Sequence, residues 1–301
     1  EATLMVYFSV VYILWGVTYT MMDIPYWSMI PAVTRTPEDR ENLSMVGRTC
    51  AGVGSALIAM FTMLLNHIAN IFLEPGTLLF EIFVDVGYFT AITMCYFLVE
   101  GYGYTRSKEK YGKRLLLFAA ICEIPFCLAF TEEGTISFVN MNMMFTLFLC
   151  FLILVVREKG QADWRRNACI IVLVVLSIYS DWALLAPLFT LWFATCGLTD
   201  AQGKIAEDFT AQRRKKLWKV FGNAMLLFGL VNLAENIETM SPGMSILRSL
   251  GAVAGIFLSA VCIIYLYNGQ QGKKHRTFSK WFFYIFYPVH LLILGLLRLA
   301  Q

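Results

Sequence analysis

Residues 78–101 read LLFEIFVDVGYFTAITMCYFLVEG, a mostly apolar run long enough to cross the roughly 30 Å hydrocarbon core of a bilayer as a helix. Runs of this kind recur at 3–22, 46–73, 115–131, 140–157, 167–181, 183–199, 217–236, 245–267 and 281–299. Inside lipid each segment must satisfy its own backbone N–H and C=O groups, so the runs are helices rather than open strands. The expected fold is all-α, a polytopic integral membrane protein with about ten transmembrane helices. The sixth and seventh runs are short and part only around Ser180-Asp181-Trp182. They read as a tight helical hairpin or as one broken re-entrant pair.

Composition supports this class. Hydrophobic residues make up 58% of the 301 positions and charged ones 15%, where a soluble domain carries about a quarter. The mean hydropathy is +0.63. Lys and Arg gather in alternate loops: Arg35, Arg40 and Arg48, then Arg106, Lys108, Lys110, Lys113 and Arg114, then Arg157 to Arg166, Lys204 to Lys219, and Lys273 to Lys280. The connections between them carry almost none, and only Arg248 and Arg298 fall elsewhere. This alternation places the basic loops in the cytoplasm and the chain in the cell inner membrane, as a multi-pass protein. The net charge of +3 is therefore topological, and no nucleic-acid partner is expected. The same residues can attract anionic lipid headgroups or a polyanionic cofactor.

Eight cysteines are scattered without a C-x-x-C pair, so neither a disulfide framework nor a metal site is expected. No Walker lysine motif, dinucleotide glycine fingerprint or H-E-x-x-H is present. The chain opens on Glu1 directly before an apolar run, without a cleavable secretory signal, and reads as truncated at its N-terminus.

The chemistry-bearing residues stand out against this background. His67 and His290 lie inside membrane-length apolar runs, where an ionisable group is costly and marks a functional site by default. His275 lies in a basic loop and carries no such implication. Pro288, beside Tyr287, frees backbone carbonyls that His290 could satisfy, or kinks the helix around a polar spot. Glu123, in an otherwise apolar run, reads as a partner for a histidine or Arg106, or as an internal packing group. Asp181 either positions an incoming group or caps the following short helix.

Two resemblances divide the chain. Asp23-Ile24-Pro25-Tyr26-Trp27-Ser28-Met29, the loop through Glu41, and Arg48 resemble the glycoside–pentoside–hexuronide:cation symporters, the melibiose permease family. That resemblance covers about residues 1–55: one transmembrane helix, a cytoplasmic loop and the start of a second helix. It implies that Asp23 and Arg48 are a remnant of a sugar site. A full symporter needs two pseudo-symmetric halves, so cation-coupled sugar transport is the competing function and a fused inactive scaffold the third.

From residue 56 to 301 the chain resembles the TraX-like membrane acyltransferases. The matching stretches are Met63-Leu64-Leu65-Asn66-His67-Ile68-Ala69, Phe97-Leu98-Val99-Glu100-Gly101-Tyr102, Glu123-Ile124-Pro125-Phe126, Asn142 to Leu147, Asp181-Trp182, and Tyr284 to Leu291. The resemblance implies transfer of an acyl group, acetyl from acetyl-CoA above all, to an amine or hydroxyl acceptor such as a pilin N-terminus or a sugar. In that reading His67 is the general base or transient acyl carrier, and His290 and Tyr287 donate to the carbonyl. Glu123 tunes a histidine, and Asn66 orients His67. Arg106, Lys110, Lys113 and Arg114 meet the CoA phosphates, and Asp181 and Trp182 face the acceptor. The family pattern has Asp where this chain has Asn66, which can hydrogen-bond but brings no charge.

Overall fold

The computed structural model describes residues 36, 58–131, 138–159, 163–196, 210–267 and 276–300. It divides the chain into two compact units, Glu1–Gly52 and Val53–Gln301, and the account below concerns the second. Asp23, Arg48 and His275 lie outside the described residues.

The elements are α1 Ile58–Phe72, α2 Leu78–Tyr104, α3 Lys108–Phe130, α4 Met143–Lys159, α5 Trp164–Leu176, α6 Leu185–Ala194, α7 Thr210–Ile237, α8 Pro242–Val261 and α9 Arg276–Leu299. No strand occurs among the described residues, only a parallel bridge between Met141 and Ser180. The breaks follow from polar side chains that outcompete the helix. Thr77 accepts from the Phe80 N–H, Ser107 from Lys110 and Asp163 from Trp164, so each terminates one segment and caps the next.

Among the described residues, three helical stretches are long and apolar enough to cross a membrane: Leu78–Tyr104, Gln212–Ile237 and Pro242–Leu266. The last joins α8 to a π-helical turn, Cys262–Leu266. The expectation of ten crossings is not supported. Ile58–Phe72, Leu185–Ala194 and Tyr284–Leu299 are apolar but only 10–17 residues long, reaching about 15–25 Å at 1.5 Å per residue. α3 opens on the charged sequence Lys108-Glu109-Lys110-Tyr111-Gly112-Lys113-Arg114, and α5 holds 13 residues. The apolar runs located the described helices; they did not fix how many reach across.

Small residues set the main contacts. A Cβ on Gly251 would lie 2.2 Å from Asp85 Oδ2, and one on Gly255 2.2 Å from the Asp85 carbonyl oxygen. Further along, the Thr93 and Ser259 hydroxyls hydrogen-bond at 2.7 Å, and Tyr267 donates to Glu100 at 2.5 Å. Residue numbers rise together through these contacts, so α2 and α8 run parallel. α3 and α9 do the same, from the Phe118–Tyr284 ring contact at 4.6 Å to Leu128 against Gly295.

The basic ends of α2, α3, α4, α7 and α8 collect at one end of the bundle. There Lys108 and Tyr102 both bond to Glu158, and Arg213 meets the Tyr96 hydroxyl at 2.6 Å and Glu100 at 3.7 Å. The hydrogen bond from Lys108 and that from Tyr102 hold the Glu158 carboxyl below the usual carboxylate range. A depressed folded-state value stabilises above the unfolded value and is lost as pH falls through the folded one. Thermal stability should therefore decline slightly below about pH 4.5, and Glu158→Gln should remove that part of the decline; an unchanged acid slope would argue against the contact.

Candidate active site

His67 and His290, 223 positions apart in the chain, meet directly. His67 Nδ1 and His290 Nε2 are 2.7 Å apart, with the two rings nearly parallel at 5° and their centroids 5.0 Å apart, as an end-to-end hydrogen bond between imidazoles requires. His290 Nδ1 lies 2.7 Å from the Phe286 carbonyl, one turn back on α9. A carbonyl only accepts, so His290 Nδ1 carries its proton and donates. With both rings neutral, His290 Nε2 is then an acceptor and His67 Nδ1 must donate to it. The proton left on Nδ1 leaves His67 Nε2 with its lone pair, on the ring edge away from His290. Edge contacts from Phe130 at 5.6 Å and Tyr287 at 6.2 Å hold the His67 ring.

His67 lines a cavity of about 670 Å³ at the end of the bundle opposite the basic cluster. Its lining comes from α1, from α2 as far as Met94, from the end of α3, and from Tyr287 and Arg298 of α9. The segment Ser180–Trp182 closes it. Across the short bridge the Met141 N–H donates to the Tyr179 carbonyl at 3.0 Å and the Met141 carbonyl accepts from the Asp181 N–H at 2.8 Å, while Thr146 donates to the Asp181 carbonyl at 2.6 Å. Trp182 takes φ +57°, uncommon for a residue with a side chain, and stacks on Phe228 at 5.4 Å. Asp181 is not a helix cap. The position before α6 belongs to Leu184, whose N–H bonds to Ser177 Oγ. Asp181 lines the cavity instead.

The structure thus gathers His67, Asn66, Tyr287, Asp181 and Trp182 around one cavity, with His290 hydrogen-bonded to His67. Tyr287 is almost wholly buried, and its hydroxyl makes no hydrogen bond among the described residues. Asn66 does not bond to His67. Its amide donates to the Val84 carbonyl at 3.3 Å, and Asn66 packs where a Cβ on Gly87 would sit. It ties α1 to α2 and positions His67 through the backbone.

Glu123 touches neither histidine. Its carboxylate accepts from Asn142 Nδ2 at 2.6 Å and from the Asn142 N–H at 3.3 Å, while Asn142 Oδ1 accepts from Met144 N–H at 2.9 Å. Glu123 therefore anchors the start of α4, beside cavity-lining Met143. Glu123→Ala should lower the melting temperature by stranding Asn142, at a cost of about 1–3 kcal/mol. Glu123→Gln, which keeps an acceptor, should recover most of it. Equal losses in both would show that the charge itself matters.

The four residues expected to meet CoA phosphates lie elsewhere. Arg106 and Lys110 are exposed and have no ion pair among the described residues; Lys113 pairs with Glu109, and Arg114 lies over the Tyr111 and Tyr284 rings. From Lys110 to Phe130 the rise along α3 is about 30 Å. Several polar lining groups were not foreseen as site residues, among them Asn70, Tyr88, Thr90, Asn140 and Arg298. Arg298 had a signal, its position outside the basic loops; Asn140 had none, because nothing local distinguishes it from a loop amide.

A family model described as "TraX protein" matches residues 56–298. The chain belongs to the TraX family. It is similar to a protein of Dichelobacter nodosus named "Probable fimbrial assembly protein FimC, serogroup H1", 31% identical over 246 residues, covering 79% of this chain and 91% of the relative. No solved structure matches. The TraX match begins just before α1 and takes in every cavity-lining residue. Nothing in these comparisons supports a symporter-like origin for residues 1–55. Its apolar helices and TraX membership make this chain a membrane protein.

Proposed function

We propose that this TraX-family chain is a membrane-embedded acyltransferase that moves acetyl from acetyl-CoA to an amine or hydroxyl acceptor. The carrying observation is the chain of hydrogen bonds from the Phe286 carbonyl through His290 to His67 Nδ1, which leaves the other ring nitrogen of His67 unprotonated on a residue lining a cavity of about 670 Å³. His67 Nε2 takes the proton from the acceptor as its nitrogen or oxygen attacks the thioester carbon. The C–S bond then breaks, and the leaving thiolate takes that proton back as CoA thiol. The free Tyr287 hydroxyl donates to the oxyanion formed in between. Asp181 faces an acceptor amine, with the Trp182 ring beside it. The name of the Dichelobacter relative favours an acceptor on a fimbrial subunit.

In this reading the basic end of the bundle faces the cytoplasm of a cell with an inner membrane, and the cavity opens on the far side. The exposed Arg106 and Lys110 fit the donor's phosphates, with the thioester end extending along α3 towards His67. The chain in nanodiscs, given acetyl-CoA with an N-terminal alanine peptide, a hexosamine or a simple alcohol, should release CoA only when an acceptor is present. Acetyl-CoA that neither loses its acyl group nor shifts the melting temperature would overturn the proposal.

A further inference from the structure

The loop-charge pattern leaves two arginines unexplained, Arg248 and Arg298. Arg248 is accounted for by its ion pair with Glu81 across α8 and α2. Arg298 has no acidic partner among the described residues. It lies half-buried in the last turn of α9 and forms part of the cavity wall. Its Nη1 donates to the Ala129 carbonyl at 3.0 Å, one residue before Phe130, whose ring abuts His67. That bond fixes the guanidinium through one nitrogen and leaves the rest of the fork without a partner among the described residues. Asp181, also lining the cavity, makes no ion pair with it.

A half-buried guanidinium is costly to leave without a counter-charge, and its planar fork matches carboxylate or phosphate oxygens. A simple α3 cap would need only a hydrogen bond to the terminal carbonyl, and no charge facing the cavity. We propose that Arg298 is an anion subsite of the cavity, which selects acceptors bearing a carboxylate or phosphate a few bonds from the reacting nitrogen or oxygen. This rests on the reading of the cavity as the acceptor site, and it adds a substrate class: amphoteric acceptors, the cationic or neutral nucleophile towards Asp181 and His67, the anion on Arg298.

The probes are 2-aminoethyl phosphate, β-alanine and ethanolamine, which share an amine and differ in carrying a phosphate, a carboxylate or neither. Binding is read as thermal stabilisation of the full chain in nanodiscs, with no donor present, so failure of transfer does not obscure it. The two anionic probes should bind about tenfold more tightly than ethanolamine, the advantage expected of a charge-assisted pair. Whichever anion binds better identifies the oxygen geometry the fork accepts. Arg298→Gln should remove the advantage while leaving ethanolamine unchanged, and Arg298→Lys should restore part of it. If transfer is detected, Arg298→Gln should raise KM for the anionic acceptors with kcat little altered. Equal binding of all three probes by the unaltered chain would overturn the subsite, even if Arg298→Gln proved too unstable to purify. Preference for the anionic probes with no acetyl transfer would leave the subsite standing and count against the acyltransferase alone.

Discussion

His67→Ala should lower acceptor-dependent CoA release by about 10²–10⁴-fold, the range of a positioned general base. The mutation removes the nitrogen that receives the acceptor's proton, together with a buried ring at the cavity wall. His290 acts through His67 rather than on the substrate, so its variants should separate by chemistry. His290→Leu leaves the His67 Nδ1–H without an acceptor and frees the ring to turn its proton towards the cavity. A loss of tenfold or more is expected, since a base in the wrong tautomer cannot accept. His290→Gln can still accept that proton through its amide oxygen and should recover part of the rate. A merely structural histidine would show no such ordering: both variants would unfold alike or neither would matter. Full release by His67→Ala would remove the base assignment and leave the paired histidines as a packing feature.

The largest effect on stability is expected at Gly255. Its would-be Cβ falls 2.2 Å from the Asp85 backbone oxygen, and 3.2 Å from both the Phe89 nitrogen and the Tyr88 Cβ. A backbone atom cannot swing aside as a flexible side chain can. Gly255→Val must therefore push α8 off α2, at about 3 kcal/mol, the upper part of the overpacking range. Close backbone approach at small residues is the usual means by which membrane helices associate, and this contact helps set the floor beneath Tyr88 and Thr90. Gly222→Ala is the control, since nothing lies within 4 Å of its would-be Cβ and alanine is the better helix former. Gly255→Val should lose the monodisperse peak on heating well before the parent, while Gly222→Ala should match or exceed it. Coincident melting of all three would mean that α2 and α8 do not pack as described.

The all-helical class and, within the described residues, the approximate helix positions were legible in the sequence, because lipid leaves the backbone no alternative partners; the run 3–22 lies outside the described residues. Residues 78–101, expected as one run, form α2 with an extra turn, and 245–267 form α8 with its π-helical continuation. The importance of His67 and His290 was legible too, since each is a polar group in an apolar run. Their pairing was not. It depends on α1 and α9 lying side by side, and no local pattern encodes which of several equivalent apolar faces will meet. Glu123 shows the same limit from the other side: its place in an apolar run announced a partner, but that partner proved to be Asn142 rather than a histidine.

The sequence alone determined a helical membrane chain of TraX type, the ordering of its segments, and the residues too polar to lie in them without cause. Composition and period suffice there, because the cost of an unpaired backbone group in hydrocarbon acts on each segment separately. Tertiary structure decided the rest: which helices have the length to cross, the tautomers that leave His67 Nε2 free, the separation of the basic end from the cavity, and the place of Arg298 on its wall. Each of those depends on which side chains from distant segments come within a few ångströms, and hydrogen bonds and ion pairs act only at that range.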